Sequence, residues 1–205
     1  LCFVVVDAFV LERDVSMYLG WRVRNPAFPD AVVTMRHLLS HRSGLRDNID
    51  YIVPLDGDLS AVLAKPEAWE AKHPPGRYFS YANINSPLIA TTMEAVTGER
   101  FDRLMARLYK RYRRGKFGSR LMARLVLVPL KLDACYNWGL GCTDKRRAQA
   151  VTLLRPNGDL ARDAAMNGPD PCAVYPASDG SCDVEKLYRL ARNGSAFSPQ
   201  GGLRI

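Results

Sequence analysis

The stretch Pro75-Gly76-Arg77-Tyr78-Phe79-Ser80-Tyr81-Ala82-Asn83 leads into the clearest helix that the sequence predicts. This helix begins at Ser86, has Pro87 at its first position and ends at Gly98, because proline suits the first turn of a helix and glycine its end. Its apolar residues recur at the spacing of one buried face: Ile89, Thr92 through its methyl group, Met93 and Val96. The sequence therefore places an extended segment directly before a helix with one buried face.

Short helices predominate along the rest of the chain. Thr34 can cap a helix that runs through Leu38-Leu39 and ends before Gly44. Further helical segments are predicted at three places: around Leu59–Leu63, from Glu99 through Phe101, Leu104, Met105 and Leu108, and over Asp183–Arg192 before Asn193-Gly194. Val151–Asp163 is predicted to form a β-hairpin with its turn at Asn157-Gly158. The fold class that follows is α+β and predominantly helical.

The composition is that of a globular protein, with 205 residues of which 47% are hydrophobic and 24% charged. Disorder, collagen and coiled coil are excluded on this ground. The most apolar run, Leu1–Leu11, contains Asp7 and falls short of the ~18 residues that a membrane span needs. The chain begins with Leu and stops within the pattern Gly201–Ile205, so we expect it to be a piece of a longer protein.

The net charge of +8 is concentrated in one segment. Nine cations and no carboxylate lie from Arg103 to Arg124, and the remainder of the chain is close to neutral. The string Arg103–Leu108 recurs letter for letter at Arg120–Leu125, 17 residues on, where a continuous helix would have turned it about 100° away. We interpret the segment as a basic insert or duplication near 103–124 within a single domain spanning 1–205.

Aromatic residues interleave with these cations at Tyr109, Tyr112 and Phe117, as contact with nucleic acid or an anionic membrane would require. A solvated basic face is the commoner arrangement of such a charge run. We therefore do not expect nucleic acid as a partner, and binding through the basic segment stays an alternative function.

No metal or cofactor site is predicted. The histidines His37, His41 and His73 lack the spacing of a zinc motif, and neither a glycine-rich phosphate loop nor a Gly-x-Ser-x-Gly elbow occurs. The five cysteines follow no zinc spacing either: Cys2, Cys135, Cys142, Cys172 and Cys182. The close pairs among them, 135 with 142 and 172 with 182, are either disulfides or buried thiols, and one thiol is left over in any case.

Tyr81 and Asn83 are the candidate functional pair. Residues two apart in an extended chain project to the same side, so a phenol that transfers a proton can stand beside an amide that holds a substrate carbonyl. A phenol, with its ordinary pKa near 10, serves as a base only where a cation lowers that pKa, so the chemistry needs a lysine partner. The alternative is a loop tyrosine followed by an asparagine that caps the helix.

Several stretches together resemble the penicillin-recognising serine hydrolases, which include class C β-lactamases, D-Ala-D-Ala carboxypeptidases and related esterases. They follow one another along the chain: Asp14-Val15-Ser16-Met17-Tyr18-Leu19, Val33 to Leu45, Pro75 to Asn83, Glu94-Ala95-Val96-Thr97-Gly98, Pro129-Leu130-Lys131-Leu132-Asp133 and Ser198-Pro199-Gln200-Gly201-Gly202-Leu203. The string Leu38-Leu39-Ser40-His41-Arg42-Ser43-Gly44-Leu45 is the most specific of them. The resemblance implies an acyl-enzyme mechanism in which the serine of a Ser-x-x-Lys helix attacks an amide, lactam or ester.

By this resemblance Tyr81 matches the catalytic tyrosine and Asn83 the substrate-binding asparagine of the Tyr-x-Asn motif, while His41 and Ser43 belong to a loop that shapes the structure. The two other motifs of the family, Ser-x-x-Lys and Lys/His-Thr/Ser-Gly, do not occur in the sequence. We therefore expect the central fragment of such an enzyme, with a partial fold that lacks much of the central sheet, and we expect the isolated chain to be inactive.

The resemblance also bears on partners and location. It implies a small-molecule or peptide substrate in the full-length enzyme, no cofactor, and a periplasmic or secreted location only by analogy. Because strands that cover the helices in the family would be missing, apolar stripes such as Ile89, Met93 and Val96 are expected to face water and to favour self-association.

Overall fold

A computed structural model describes residues 10–51, 53–104, 107, 135–136, 156–159, 176–197 and 203–204. Its α-helices are α1 (Ser16–Leu19), α2 (Met35–Leu39), α3 (Leu59–Leu63), α4 (Asn85–Thr97) and α5 (Val184–Leu187). Within the described ranges, the 3₁₀ helices are η1 (Pro66–Ala68) and η2 (Ser195–Phe197), and residues 101–104 are also helical. Strand β1 (Cys135–Tyr136) pairs antiparallel with β2 (Leu203–Arg204), with Cys135 opposite Arg204. The regular secondary structure of the described part is thus mostly helical, as the sequence predicts.

Helix α4 is the central element of the described core. It packs against α1, α2 and η2, and its residues are buried on more than one face, including Leu88, Thr91 and Glu94. The sequence predicts one buried face for this helix, whereas the structure buries more than one. Ile89 is buried and Met93 is half-buried against the hydrophobic core, so the expectation that this stripe faces water is wrong. Self-association stays a prediction.

The local rules for helix ends hold well. The Thr34 hydroxyl caps α2 by accepting from the backbone N–H of His37. In turn, His37 Nδ1 accepts from the backbone N–H of Thr34, which completes a capping box. Helix α3 covers the helical segment predicted around Leu59–Leu63, and Asp58 caps it. Gly98 ends α4 with φ of +65°, a left-handed conformation that glycine adopts without strain. Helix α4 begins at Asn85, one residue before the predicted start.

Helix α5 is shorter than the predicted Asp183–Arg192. Asp183 caps it, but the chain leaves the helix at Tyr188 because the tyrosine hydroxyl reaches the two carboxylate oxygens of Glu94 at 2.6 and 2.7 Å. Glu94 also accepts from the backbone N–H groups of Phe101 and Ala191. This buried carboxylate therefore joins the end of α4 to the helical turn that follows and to the chain after α5.

Several predicted features lie wholly or mainly outside the described residues. The turn of the predicted hairpin is present at residues 156–159, with Gly158 at φ of +84°, whereas its strands fall outside. Within the basic segment, the described cations Arg103 and Arg107 form ion pairs with Glu185 and Glu99. Cys182 is disulfide-bonded, which removes the free-thiol alternative for that cysteine.

Candidate active site

The side chains of Tyr81 and Asn83 lie on the same side of the chain, just before α4. The Tyr81 hydroxyl is 3.3 Å from Asn83 Oδ1, and the tyrosine is 64% exposed. Among the described residues, no lysine makes a hydrogen bond with the Tyr81 hydroxyl. Tyr81 is thus exposed to solvent, whereas Asn83 is half-buried.

The ring of His41 supports Tyr81 from beneath. The two rings stack with centroids 4.4 Å apart and an interplanar angle of 27°. His41 Nδ1 accepts from the backbone N–H of Ala82 at 3.3 Å and lies 3.1 Å from Asn85 Nδ2, which assigns the ring proton to Nε2. His41 has a φ of +52°, uncommon for a non-glycine residue, and this backbone conformation places its ring against the tyrosine.

Ser43 is a structural group rather than a nucleophile. It is buried, and its hydroxyl donates to Asn85 Oδ1 at 2.7 Å while accepting from the backbone N–H of Leu45 at 3.1 Å. Because Asn85 lies in the first turn of α4, this contact ties the loop after α2 to the helix that follows Tyr81. A buried hydroxyl with both roles satisfied has no path to a substrate carbonyl.

Asp47 is a site residue that sequence reasoning missed. Its Oδ2 accepts from the backbone N–H of Asn83 at 2.8 Å and from Asn83 Nδ2 at 2.9 Å, and its Oδ1 accepts from the backbone N–H of Ile84 at 3.1 Å. Ile84 is the N-cap residue of α4 and makes no side-chain cap. At this helix end the carboxylate of Asp47 accepts the backbone N–H groups of Asn83 and Ile84, and the helix-capping asparagine stays an alternative.

The loop that carries the pair is held by close backbone contacts. Gly76 has a φ of +86°, and its N–H donates to the carbonyl of Arg42 at 2.7 Å. A Cβ at this position would come within 2.8 Å of His37 Nε2, so only glycine fits between the loop and α2. Burial lowers the pKa of His37 beneath the loop, because desolvation disfavours the charged imidazolium.

Two further aromatic side chains extend the exposed surface beside the pair. Phe79 is 62% exposed and meets the His41 ring edge-on at 6.2 Å, and Tyr78 is 50% exposed and stacks on His73 at 4.7 Å. Within the described ranges, no group of three or more His, Cys, Asp or Glu residues could hold a metal ion.

The family follows from comparison with known proteins. The model of the Beta-lactamase family matches residues 7–203, so the chain belongs to this family, and membership supports a serine hydrolase-like function.

No helix within the described residues is both long and apolar enough to cross a membrane.

The solved structures that are similar to the chain include a penicillin-binding protein homologue and a hydrolase. The octameric penicillin-binding protein homologue from Pyrococcus abyssi shares 19% identity, with a TM-score of 0.43, over 76% of this chain and 33% of its own. EstCE1, a hydrolase with promiscuous acyltransferase activity, shares 17% identity, with a TM-score of 0.40, over 94% of this chain and 50% of its own. The chain thus spans between a third and a half of the length of these two structures. A comparison with curated proteins finds no match.

Proposed function

We propose that the described site is one wall of the substrate pocket of a serine hydrolase that acts through an acyl-enzyme on amide, lactam or ester bonds. Tyr81 transfers a proton during acyl transfer, and Asn83 holds a substrate carbonyl or amide. The observation that carries the proposal is the exposed Tyr81 hydroxyl, 3.3 Å from Asn83 Oδ1 in a member of the Beta-lactamase family.

The contacts that hold Tyr81 and Asn83 favour a catalytic role for the two residues over a position in an ordinary surface loop. Catalysis needs groups held in place before the substrate arrives, because ordering them during the reaction would raise the barrier. Stacking on His41 holds the phenol, and hydrogen bonds to Asp47 hold the carboxamide. Both supports leave the Tyr81 hydroxyl exposed, which a purely structural tyrosine would not require.

The nucleophile of the proposed mechanism is the serine of a Ser-x-x-Lys motif. No serine in this sequence is followed by a lysine three residues later, so this chain does not contain that motif. In a serine protease, loss of the nucleophile costs about 10⁶ in turnover, roughly 8 kcal/mol of barrier. We therefore propose that this 205-residue chain by itself does not hydrolyse lactams, peptides or esters above background.

The first experiment incubates the purified chain with a chromogenic cephalosporin and a nitrophenyl ester, and no turnover is expected. Turnover that Tyr81→Phe abolishes would refute the proposed inactivity and keep the proposed site. The DNA immediately upstream of the codon for Leu1 is then read. An in-frame Ser-x-x-Lys there indicates an enzyme, and a start codon without one indicates a non-catalytic relative.

If the upstream reading frame encodes Ser-x-x-Lys, the longer protein is used to test the proposed proton-transfer role of Tyr81. Tyr81→Phe is expected to lower kcat by about 10² to 10⁴, the usual contribution of a general acid or base. Tyr78→Phe is the matched control, because that tyrosine is also exposed but stacks on His73. Equal kcat values for the two variants would refute the role of Tyr81.

A further inference from the structure

The carboxylate of Asp47 gathers three N–H groups from the segment that carries the proposed pocket wall. They are the backbone N–H and the side-chain Nδ2 of Asn83, and the backbone N–H of Ile84, at 2.8, 2.9 and 3.1 Å. We propose that Asp47 is a positioning residue that sets the orientation of the Asn83 carboxamide toward Tyr81. The inference rests on the proposed function, because it assigns a role to the support of that site.

The chemistry of the two groups decides which way the amide faces. An ionised carboxylate only accepts hydrogen bonds, whereas a carboxamide has a donating end and an accepting end. With Nδ2 directed at Asp47, the carbonyl oxygen Oδ1 is the end that faces the Tyr81 hydroxyl. The reversed amide would bring its oxygen against an oxygen of Asp47 and its NH₂ group toward the phenol. Asp47 therefore selects the orientation in which the Tyr81 hydroxyl donates to Asn83.

Asp47 is itself held in place by the loop that contains it. Arg46, the preceding residue, donates its backbone N–H to the carbonyl of Ala68 at 2.8 Å, and Leu45 is fully buried and forms a β-bridge with Trp69. The carboxylate thus projects from an anchored backbone and contacts both the backbone and the side chain of Asn83. This double contact distinguishes Asp47 from a group that only caps a helix.

The test measures the Asn83 side-chain amide directly in the 205-residue chain labelled with ¹⁵N-asparagine. Hydrogen exchange of the Nδ2 protons is followed by NMR, with the resonance assigned by its loss in Asn83→Asp. In Asp47→Asn we expect exchange of these protons to accelerate at least about tenfold and their chemical shift to move, because a hydrogen bond to a charged acceptor is lost. Asp58→Asn, which removes a carboxylate at the start of α3, is the matched control and should leave Asn83 unchanged.

A second variant separates positioning from folding. Asp47→Ser places a hydroxyl acceptor near the backbone N–H groups, as serine does at helix N-caps, and is expected to keep the fold while losing the protection of the Asn83 amide. Unchanged exchange at Asn83 in both variants would overturn the inference. This readout needs no turnover, so failure of the proposed function, seen as equal kcat for Tyr81→Phe and Tyr78→Phe, is recognised independently.

Discussion

Replacing Ser43 by alanine tests whether the buried hydrogen bonds of the loop after α2 stabilise the structure around the candidate site. The hydroxyl makes two hydrogen bonds in a region without water access: Ser43 is 1% exposed, and Asn85 is also 1% exposed. The variant leaves Asn85 Oδ1 without this donor and the backbone N–H of Leu45 without this acceptor. A buried polar group left unsatisfied costs about 1 to 3 kcal/mol, so we expect Ser43→Ala to lower the free energy of unfolding by about 3 kcal/mol.

Urea unfolding followed by tryptophan fluorescence measures the effect, since Trp69 is buried in the same core. For a chain of this size, 3 kcal/mol corresponds to a fall in Tm of roughly 6 to 12 °C. Ser40→Ala is the matched control, because its hydroxyl donates to the carbonyl of Arg36, which already accepts from the Ser40 N–H, and it should cost about 0.5 kcal/mol or less.

A double-mutant cycle identifies the contact responsible. If the bond between Ser43 and Asn85 carries the effect, Ser43→Ala and Asn85→Ala should be non-additive by about 1 kcal/mol or more. Equal unfolding free energies for Ser43→Ala and Ser40→Ala, within about 0.5 kcal/mol, would refute the assignment of Ser43 as a buried structural link.

Two further predictions concern α4. An alanine Cβ at Gly194 would lie 2.6 Å from the Thr91 backbone nitrogen, so Gly194→Ala should cost about 3 kcal/mol in urea unfolding. Gly98→Ala, which meets open space at φ of +65°, should cost only about 1 kcal/mol, and equal losses would contradict the steric argument. Burial raises the pKa of Glu94 above its ordinary 4.5 and outweighs the hydrogen bond from Tyr188, so folding favours the protonated acid. Its stabilising contribution is therefore full below pH 4.5 and falls as pH rises through the folded pKa, a slope that should vanish in Glu94→Gln when urea midpoints are compared across pH.

The parts of the fold that sequence predicts well depend on neighbours a few residues apart. Thr34 and Asp58 cap their helices through N–H groups two or three residues away, and Gly98 ends α4 through its own backbone freedom. The placement of Tyr81 and Asn83 on one side is equally local, because alternate residues of an extended chain point the same way. Each of these features can be judged from a window of four or five residues.

The parts that could not be predicted depend on contacts between distant residues. Asp47 lies 36 residues from Asn83 in sequence, and Glu94 lies 94 residues from Tyr188. Glu94 occupies a helix position that its spacing alone would assign to solvent, and only the tyrosine hydroxyl and two backbone N–H groups make its burial tolerable. The early end of α5 has the same origin, since the chain leaves the helix to bring Tyr188 to Glu94.

Residues 38–45, the most specific stretch of the sequence, and residues 75–83 form one structural unit. The backbone N–H of Ser80 donates to the carbonyl of His41, and the His41 ring accepts from Ala82 while stacking on Tyr81. The loop after α2 therefore supplies the surface on which the Tyr-x-Asn segment rests, and Asp47, just beyond that loop, holds its far end. Substitutions in this loop should consequently act on the proposed pocket through the orientation of the phenol and carboxamide, although none of its side chains needs to touch a substrate.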